Sequence, residues 1–209
     1  MLNARSIGRT ALIVLWGCGL IAGFWKLFLY SQTEGNPARP GVSWPKLSKI
    51  SHKSHMPTLL VFVHPRCPCS DATIAELDRL MPRLKGHVSV LAVFFKPDHW
   101  TIDDVQESLW TKTQSIPGVG LLIDERGGEA SLFDARTSGQ VMLYDSNDRL
   151  IFSGGITPSR GHQGPSAGQD AILNFLDGLP VVRSRAPVYG CSLHNPERAP
   201  AANRAGASL

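Results

Sequence analysis

The sequence predicts an α/β domain, a central mixed sheet flanked by helices, with an N-terminal transmembrane helix before it. Three observations lead there. Residues 11–30 (ALIVLWGCGLIAGFWKLFLY) form an apolar run broken by a single charge. From Pro57 onward, apolar stretches of strand length alternate with segments of helical period. The alternation ends in a hairpin signal and a closing helix, so parallel crossovers give way to antiparallel strands.

Composition bounds the reading. The chain has 209 residues, 43% hydrophobic and 18% charged, enough apolar content to bury a core and too much for disorder. No unit of about 20–50 residues repeats, which excludes solenoids and propellers. The net charge of +4 is scattered, with no Lys/Arg run interleaved with aromatics, so no nucleic-acid partner is expected. Four cysteines are too few for a disulfide scaffold of this length, which directs attention to their placement.

The apolar run has the length of about 20 residues that a bilayer core requires. Lys26 lies near its end, where the stem can snorkel, and Trp25 and Tyr30 suit an interface. Arg5 and Arg9 precede the run, so the amino terminus is expected inside and the rest outside the cytoplasm, in a single-pass cell-membrane protein. A run this long with no A-x-A site after it reads as an uncleaved anchor over 1–31. Residues 32–56 hold Gly35, Pro37, Pro40, Gly41 and Pro45 and read as an extended linker, with Trp44 a candidate to dock.

The elements of the 57–180 domain follow in order. Thr58–His64 (TLLVFVH) is nearly all apolar, as a strand buried on both faces should be. Ser70–Leu84 carries Ile74, Leu77, Leu80, Met81 and Leu84 at helical spacing. Ser70 or Asp71 is the expected cap, and Pro82 is expected to end or kink the helix early. His87–Phe95 is a second buried strand. Thr101–Ser115 is a helix capped by Thr101 with Asp103 and Asp104 in its first turn. Val119–Asp124 is a third strand, and Glu129–Phe133 a short helical turn. Gln140–Asp145 and Arg149–Ser153 flank Ser146-Asn147-Asp148 as a hairpin. Ser166–Asp177 is the last helix, with Gly178 past its end. Residues 181–209 form a C-terminal tail.

The chemistry-bearing motif lies where the first strand meets the first helix: His64-Pro65-Arg66-Cys67-Pro68-Cys69-Ser70. Free amides and the dipole at a helix start stabilise a thiolate. Arg66 adds a nearby charge, and His64 a second charge or a proton-transfer group. Two cysteines flanking one proline point to redox or metal chemistry, and the spacing does not choose between them. A disulfide between residues two apart closes a small, strained and easily reduced ring. For metal, His64, Cys67 and Cys69 supply three ligands, and Cys191 or His194 completes a set suited to copper or zinc.

The element order, with reactive cysteines at a strand-to-helix turn, resembles the thioredoxin-like superfamily over about Pro57–Pro180. The additional strand and turn before the hairpin resemble membrane-tethered TlpA-like and peroxiredoxin-like members. The C-P-C turn, the Arg160-Gly161-His162 loop and the late Gly190-Cys191-Ser192-Leu193 segment together resemble the RedB-type family of membrane-anchored thioredoxin-like proteins. The chain departs from the family's C-x-x-C in having C-x-C. Cys69 matches the second cysteine, and Cys67 is one residue short of the first.

The resemblance implies three neighbours for the cysteines. Arg136-Thr137-Ser138-Gly139 precedes the strand that pairs with the first, and Ser138 stands where the family carries a cis-proline. Thr137 or Ser138 is expected to offer backbone hydrogen bonds to a docked peptide. Residues 154–164 form a long Gly-rich loop carrying Arg160 and His162, either a solvated connector or a functional segment. It lacks the glycine spacing of a dinucleotide loop and the lysine of a phosphate loop. Cys191 is either an incidental tail cysteine or a third thiol that folds back on Cys67 or Cys69. No G-x-S-x-G elbow supports a hydrolase.

The expected function is thiol–disulfide exchange with a protein partner, with no cofactor. Cys67 is the exposed attacking thiol, Cys69 its resolving partner, and His64 and Arg66 favour the thiolate. The alternative is copper delivery on the same fold, through His64, Cys67, Cys69 and Cys191, as in Sco-like copper proteins. A third class is an adaptor without redox activity.

Overall fold

The computed structural model describes residues 4–51 and 55–193. They form two units, divided after Thr33. The first is a single helix, α1 (Ala4–Ser31). Its stretch Ala11–Ser31 is long and apolar enough to cross a membrane, and its apolar side chains from Leu12 to Tyr30 are exposed rather than packed in a core.

The second unit starts at Glu34. Its sheet contains β1 (Thr58–Val63), β2 (Ser89–Lys96), β3 (Val119–Glu125), β4 (Gln140–Tyr144) and β5 (Leu150–Gly154), in the order β3-β2-β1-β4-β5. β1, β2 and β3 run parallel. β4 lies antiparallel to β1, and β5 antiparallel to β4. Leu60 therefore sits between Leu91 on one side and Met142 on the other. The helices are α2 (Pro68–Leu84), α3 (Ile102–Val105), α4 (Ser108–Gln114), α5 (Gly128–Leu132) and α6 (Ala167–Leu176). This is the expected element order, and the sheet is that of a thioredoxin-like fold.

β1 is apolar throughout because both of its faces are covered. Leu59, Val61 and Val63 pack with Ile74, Leu77 and Leu84 of α2, and with Phe152 and Ile172. Leu60 and Phe62 pack on the opposite face with Ala130, Phe133, Met142 and Tyr144. The period-two alternation of a strand thus feeds two cores from one run of residues. Gly178 has φ 69°, a left-handed residue that ends α6 as expected.

The structure departs from the expected elements at three points. The helix expected over Thr101–Ser115 is two short helices. Thr101 caps α3 through a capping box with Asp104, but Glu107 leaves the helix to begin α4. The Glu107 carboxylate instead takes Arg66, whose Nε lies 3.0 Å from its Oε2. Second, α2 starts at Pro68, with Cys67 as a cap lacking a side-chain hydrogen bond, rather than at Ser70 or Asp71. Proline fits the first turn because its missing N–H would have no helical partner. Third, Pro82 does not end α2, which runs on to Leu84.

Residues on both sides of the sheet domain are laid against it. Trp44 meets the rings of Phe133 and Tyr144 edge-on, each at 5.0 Å. The Trp44 amide donates to the Asp148 carbonyl at 2.9 Å, and Ile50 is buried. The compact unit therefore takes in residues from Glu34 rather than from Pro57. At the other end, the Ser153 amide donates to Ser184 and the Gly155 amide to Pro187. The chain after α6 is thereby returned along β5 to the end of the sheet where β1 meets α2.

Candidate functional site

β1 ends at Val63, and the next four residues turn into α2. The Cys67 amide donates to the His64 carbonyl at 3.1 Å, and the Ser70 amide to the Cys67 carbonyl at 3.0 Å. Cys67 thus occupies the N-cap, where helix amides lack internal partners.

The returning tail reaches this turn. The Cys191 amide donates to the Cys67 Sγ at 3.3 Å. The tail is held by a short antiparallel rung against the segment before β4. The Ser138 amide donates to the Cys191 carbonyl at 2.8 Å, the Leu193 amide to the Arg136 carbonyl at 3.0 Å, and Thr137 pairs with Ser192. Gly190 packs so closely on the Ser138 carbonyl that a Cβ there would collide with it. Arg160 clamps the same point, its Nη1 donating to the Gly190 carbonyl at 3.1 Å. Of the two expectations for Cys191, the one that folds it back onto the thiols matches its position.

Cys67 was expected to be the exposed thiol. The structure reverses this: Cys67 is 3% exposed and Cys69 7%, whereas Cys191 is exposed. The tail lies over Cys67, and a lone reading of the turn has no way to include it.

The thiols differ in acidity. Burial pushes the Cys67 thiol up, but hydrogen bonds from the side chains and amides of Cys191 and Ser70 outweigh it, so its pKa falls below the ordinary thiol value. Cys69 moves up, first from burial and then from the Cys67 charge, with Arg160 offsetting part of the rise. Cys191 is pushed up to about 12 by burial, by its hydrogen bond to Cys67 and by the Cys67 charge. Of the three thiols, Cys67 is the one whose ionisation its surroundings favour.

A polar relay supports Ser70. The His64 amide donates to Ser138 Oγ at 2.7 Å, and Ser138 Oγ lies 2.5 Å from Ser70 Oγ. With Ser138 donating to Ser70, the Ser70 hydroxyl is free to donate to Cys67. Ser138 is fully buried, its amide donates to the Cys191 carbonyl, and Gly190 packs against its carbonyl. Thr137 is buried too, its Oγ1 donating to the Asn36 carbonyl at 3.0 Å. The Ser138 amide, one of the groups expected to receive a docked peptide, is thus engaged by Cys191 of the chain itself.

Two expected roles are corrected. Arg66 does not point its charge at the thiols. Its Nη2 lies 3.0 Å from Asp104 Oδ1, it also bonds Glu107, and its Cζ stacks 4.2 Å over Trp100. His64 adds no charge either. Its pKa is lowered, first by burial and then by Arg66, and its Nδ1 accepts the Arg66 amide at 3.2 Å. Its ring packs against Phe95 and Trp100. His162 is exposed, its Nδ1 2.8 Å from the Arg160 carbonyl, and belongs to its own loop turn.

Two residues escaped the sequence reading. Ser70, a cap by residue type, instead serves Cys67. Glu76, 2% exposed, anchors the Arg160 loop by accepting the Gly164 amide at 2.8 Å and Gln169 Nε2 at 2.9 Å. Its signal was available: an acidic residue between Thr73 and Leu77 on the buried face of α2.

The metal set does not assemble. Among the described residues no group of three or more His, Cys, Asp or Glu side chains is placed to hold a metal ion. His64, the only imidazole in the set apart from His194, is turned into the aromatic pair, and His194 lies outside the described residues. The described residues of this set therefore do not come together as a copper or zinc site.

No family model and no curated protein matches the chain. Solved structures do. An uncharacterized conserved protein from Geobacillus kaustophilus is 21% identical, with 78% of this chain and 92% of that chain covered at a TM-score of 0.55. A hypothetical protein from Sinorhizobium meliloti 1021 is 21% identical, with 78% and 94% covered at 0.55. The exposed lipoprotein thioredoxin of Streptococcus pneumoniae strain TIGR4 is 21% identical, with 60% and 87% covered at 0.45. At this identity the likeness of the first two is one of fold, and the strand order is that of a thioredoxin-like fold.

Proposed function

We propose that this protein carries out thiol–disulfide exchange with protein partners, tethered to a membrane by α1. One observation carries the reading: the Cys67 sulfur receives hydrogen bonds from Cys191 and Ser70 at the start of α2, which favours its thiolate. The thiolate is the nucleophile in exchange. Cys67 attacks one sulfur of a partner disulfide. A Cys67–partner disulfide forms, the partner's other sulfur leaves as a thiolate, and it takes a proton from water. A second thiol of the cluster, Cys69 in the sequence reading, then displaces the partner. Two electrons and two protons pass to the partner, and the protein is left with a disulfide. The reverse sequence oxidises a partner dithiol.

The span in α1 and the positions of Arg5 and Arg9 support placing the domain outside the cytoplasm, where disulfides persist. The test is exchange with glutathione disulfide by the full chain in detergent micelles, followed by mass spectrometry. Cys67 is expected to form a glutathione adduct or a protein disulfide, and Cys67→Ser is expected to abolish the exchange. Exchange by Cys67→Ser at the parent rate would overturn the reading.

A further inference from the structure

We infer that Cys191 is the resolving thiol for Cys67, and that residues 190–193 are both the cover of the nucleophile and the arm that completes its disulfide. This rests on the exchange reading above and names its second catalytic residue.

The geometry carries it. The Cys191 backbone already touches the Cys67 sulfur, at 3.3 Å from amide to Sγ. Cys69 is tied to the first turn of α2, two positions from Cys67, where a disulfide closes the small strained ring. A Cys67–Cys191 bridge closes a long loop and carries no such constraint of short spacing. Cys191 is also the exposed member of the three, whereas Cys67 and Cys69 are buried, so its proton has a path to water.

Access to Cys67 requires the cover to lift. The contacts that hold it include three hydrogen bonds, Ser138 amide to Cys191 carbonyl, Leu193 amide to Arg136 carbonyl and Arg160 to the Gly190 carbonyl, and the side chain of Leu193, which is buried in the core with Phe62 and Phe95. A partner peptide that displaces residues 190–193 meets the same backbone groups of Arg136–Ser138 and exposes Cys67. The substrate class is therefore a disulfide within an extended protein segment able to pair with that strand edge.

The order of steps follows from charge. While Cys67 is a thiolate, burial, the hydrogen bond to Cys67 and the Cys67 charge together hold the proton on Cys191. Once the cover is lifted and Cys67 is bonded to a partner sulfur, all three are relieved and Cys191 can ionise. Cys191 then loses its proton to water and attacks Cys67 Sγ. The Cys67–Cys191 bond forms, the bond from Cys67 to the partner breaks, and the partner sulfur leaves as a thiolate that is protonated by water. The partner disulfide has become a dithiol, and the protein dithiol a disulfide.

The experiment uses the full chain in detergent micelles with glutathione disulfide as the probe. Peptide mapping of the oxidised parent protein is expected to find a Cys67–Cys191 disulfide. Cys191→Ser, checked for folding by its circular dichroism and melting, is expected to lose that disulfide and accumulate the glutathione adduct on Cys67. A Cys67–Cys69 disulfide in the parent, with no adduct accumulating in Cys191→Ser, would overturn this inference and leave the exchange reading standing. Absence of any adduct or disulfide at Cys67 in either protein would overturn both.

Discussion

The amide of Cys191 donates to the sulfur of Cys67 at 3.3 Å, across 124 positions of sequence. This contact sets the protonation of both thiols. It lowers Cys67, because an N–H and an S–H donor stabilise the charged sulfur, and it raises Cys191, which must keep its proton to donate. Everything that holds the tail in place therefore also holds the nucleophile ready.

Gly190 is the most sensitive point of that hold. Gly190→Ala places a Cβ against the Ser138 carbonyl, and the rung of residues 190–193 must move away. Cys67 then loses the Cys191 donors. At this sulfur the hydrogen bonds outweigh burial, so losing the Cys191 donors is expected to raise the Cys67 pKa, opposed in part by the burial that is relieved. Alkylation rate against pH in parent and variant measures the shift, and superimposed profiles would contradict it.

Ser138 links the turn to the strand edge. Its hydroxyl accepts the His64 amide and meets Ser70 Oγ within a fully buried pair of hydroxyls. Ser138→Ala leaves both groups without that partner. The expected loss is about 1–3 kcal/mol of unfolding free energy, the usual cost of a buried polar group left unpaired. Urea denaturation measures it, and a midpoint equal to that of the parent protein would contradict the relay.

Much of this fold was legible because burial leaves a direct trace in sequence. TLLVFV reads as a two-sided buried strand, and it is one; the hairpin around Ser146–Asp148 and the helix closed by Gly178 also stood where expected. What failed depended on distant partners. Glu107 breaks the helix expected after Thr101 in order to reach Arg66. Arg66 is thereby drawn off the thiols to which its sequence position assigned it. Ser70 has the chemistry of a cap but turns to Ser138. Cys191 was left between a tail cysteine and a returning thiol, because the backbone hydrogen bonds that bring it to Cys67 leave no mark on side-chain pattern.

His64 gives the domain a pH dependence. Its folded pKa lies below the ordinary 6.5, because burial and then Arg66 disfavour the imidazolium. The unfolded chain therefore binds the proton more tightly. The stability that neutral His64 contributes is present above pH 6.5 and is lost as pH falls through the folded value. His64→Phe keeps an aromatic ring beside Phe95 and Trp100 and removes the titration. Its unfolding free energy should fall less between pH 7 and 5 than that of the parent, by the order of one titrating group. Parallel pH profiles would contradict this.

The anchor makes a separate prediction. With Arg5 and Arg9 ahead of the span at Ala11–Ser31, a reporter active only in the cytoplasm should be silent when fused after Leu209. Strong reporter activity would reverse the orientation and place the thiols in a reducing compartment.

The central claim is that the contacts of Cys67 favour its thiolate, and the most direct measurement is its alkylation rate as a function of pH in the full chain. Peptide mass spectrometry can follow Cys67 separately from Cys69 and Cys191. The account predicts that the Cys67 rate reaches half its maximum below the ordinary thiol value, while Cys69 and Cys191 titrate above it. A Cys67 midpoint at or above that value would contradict the account.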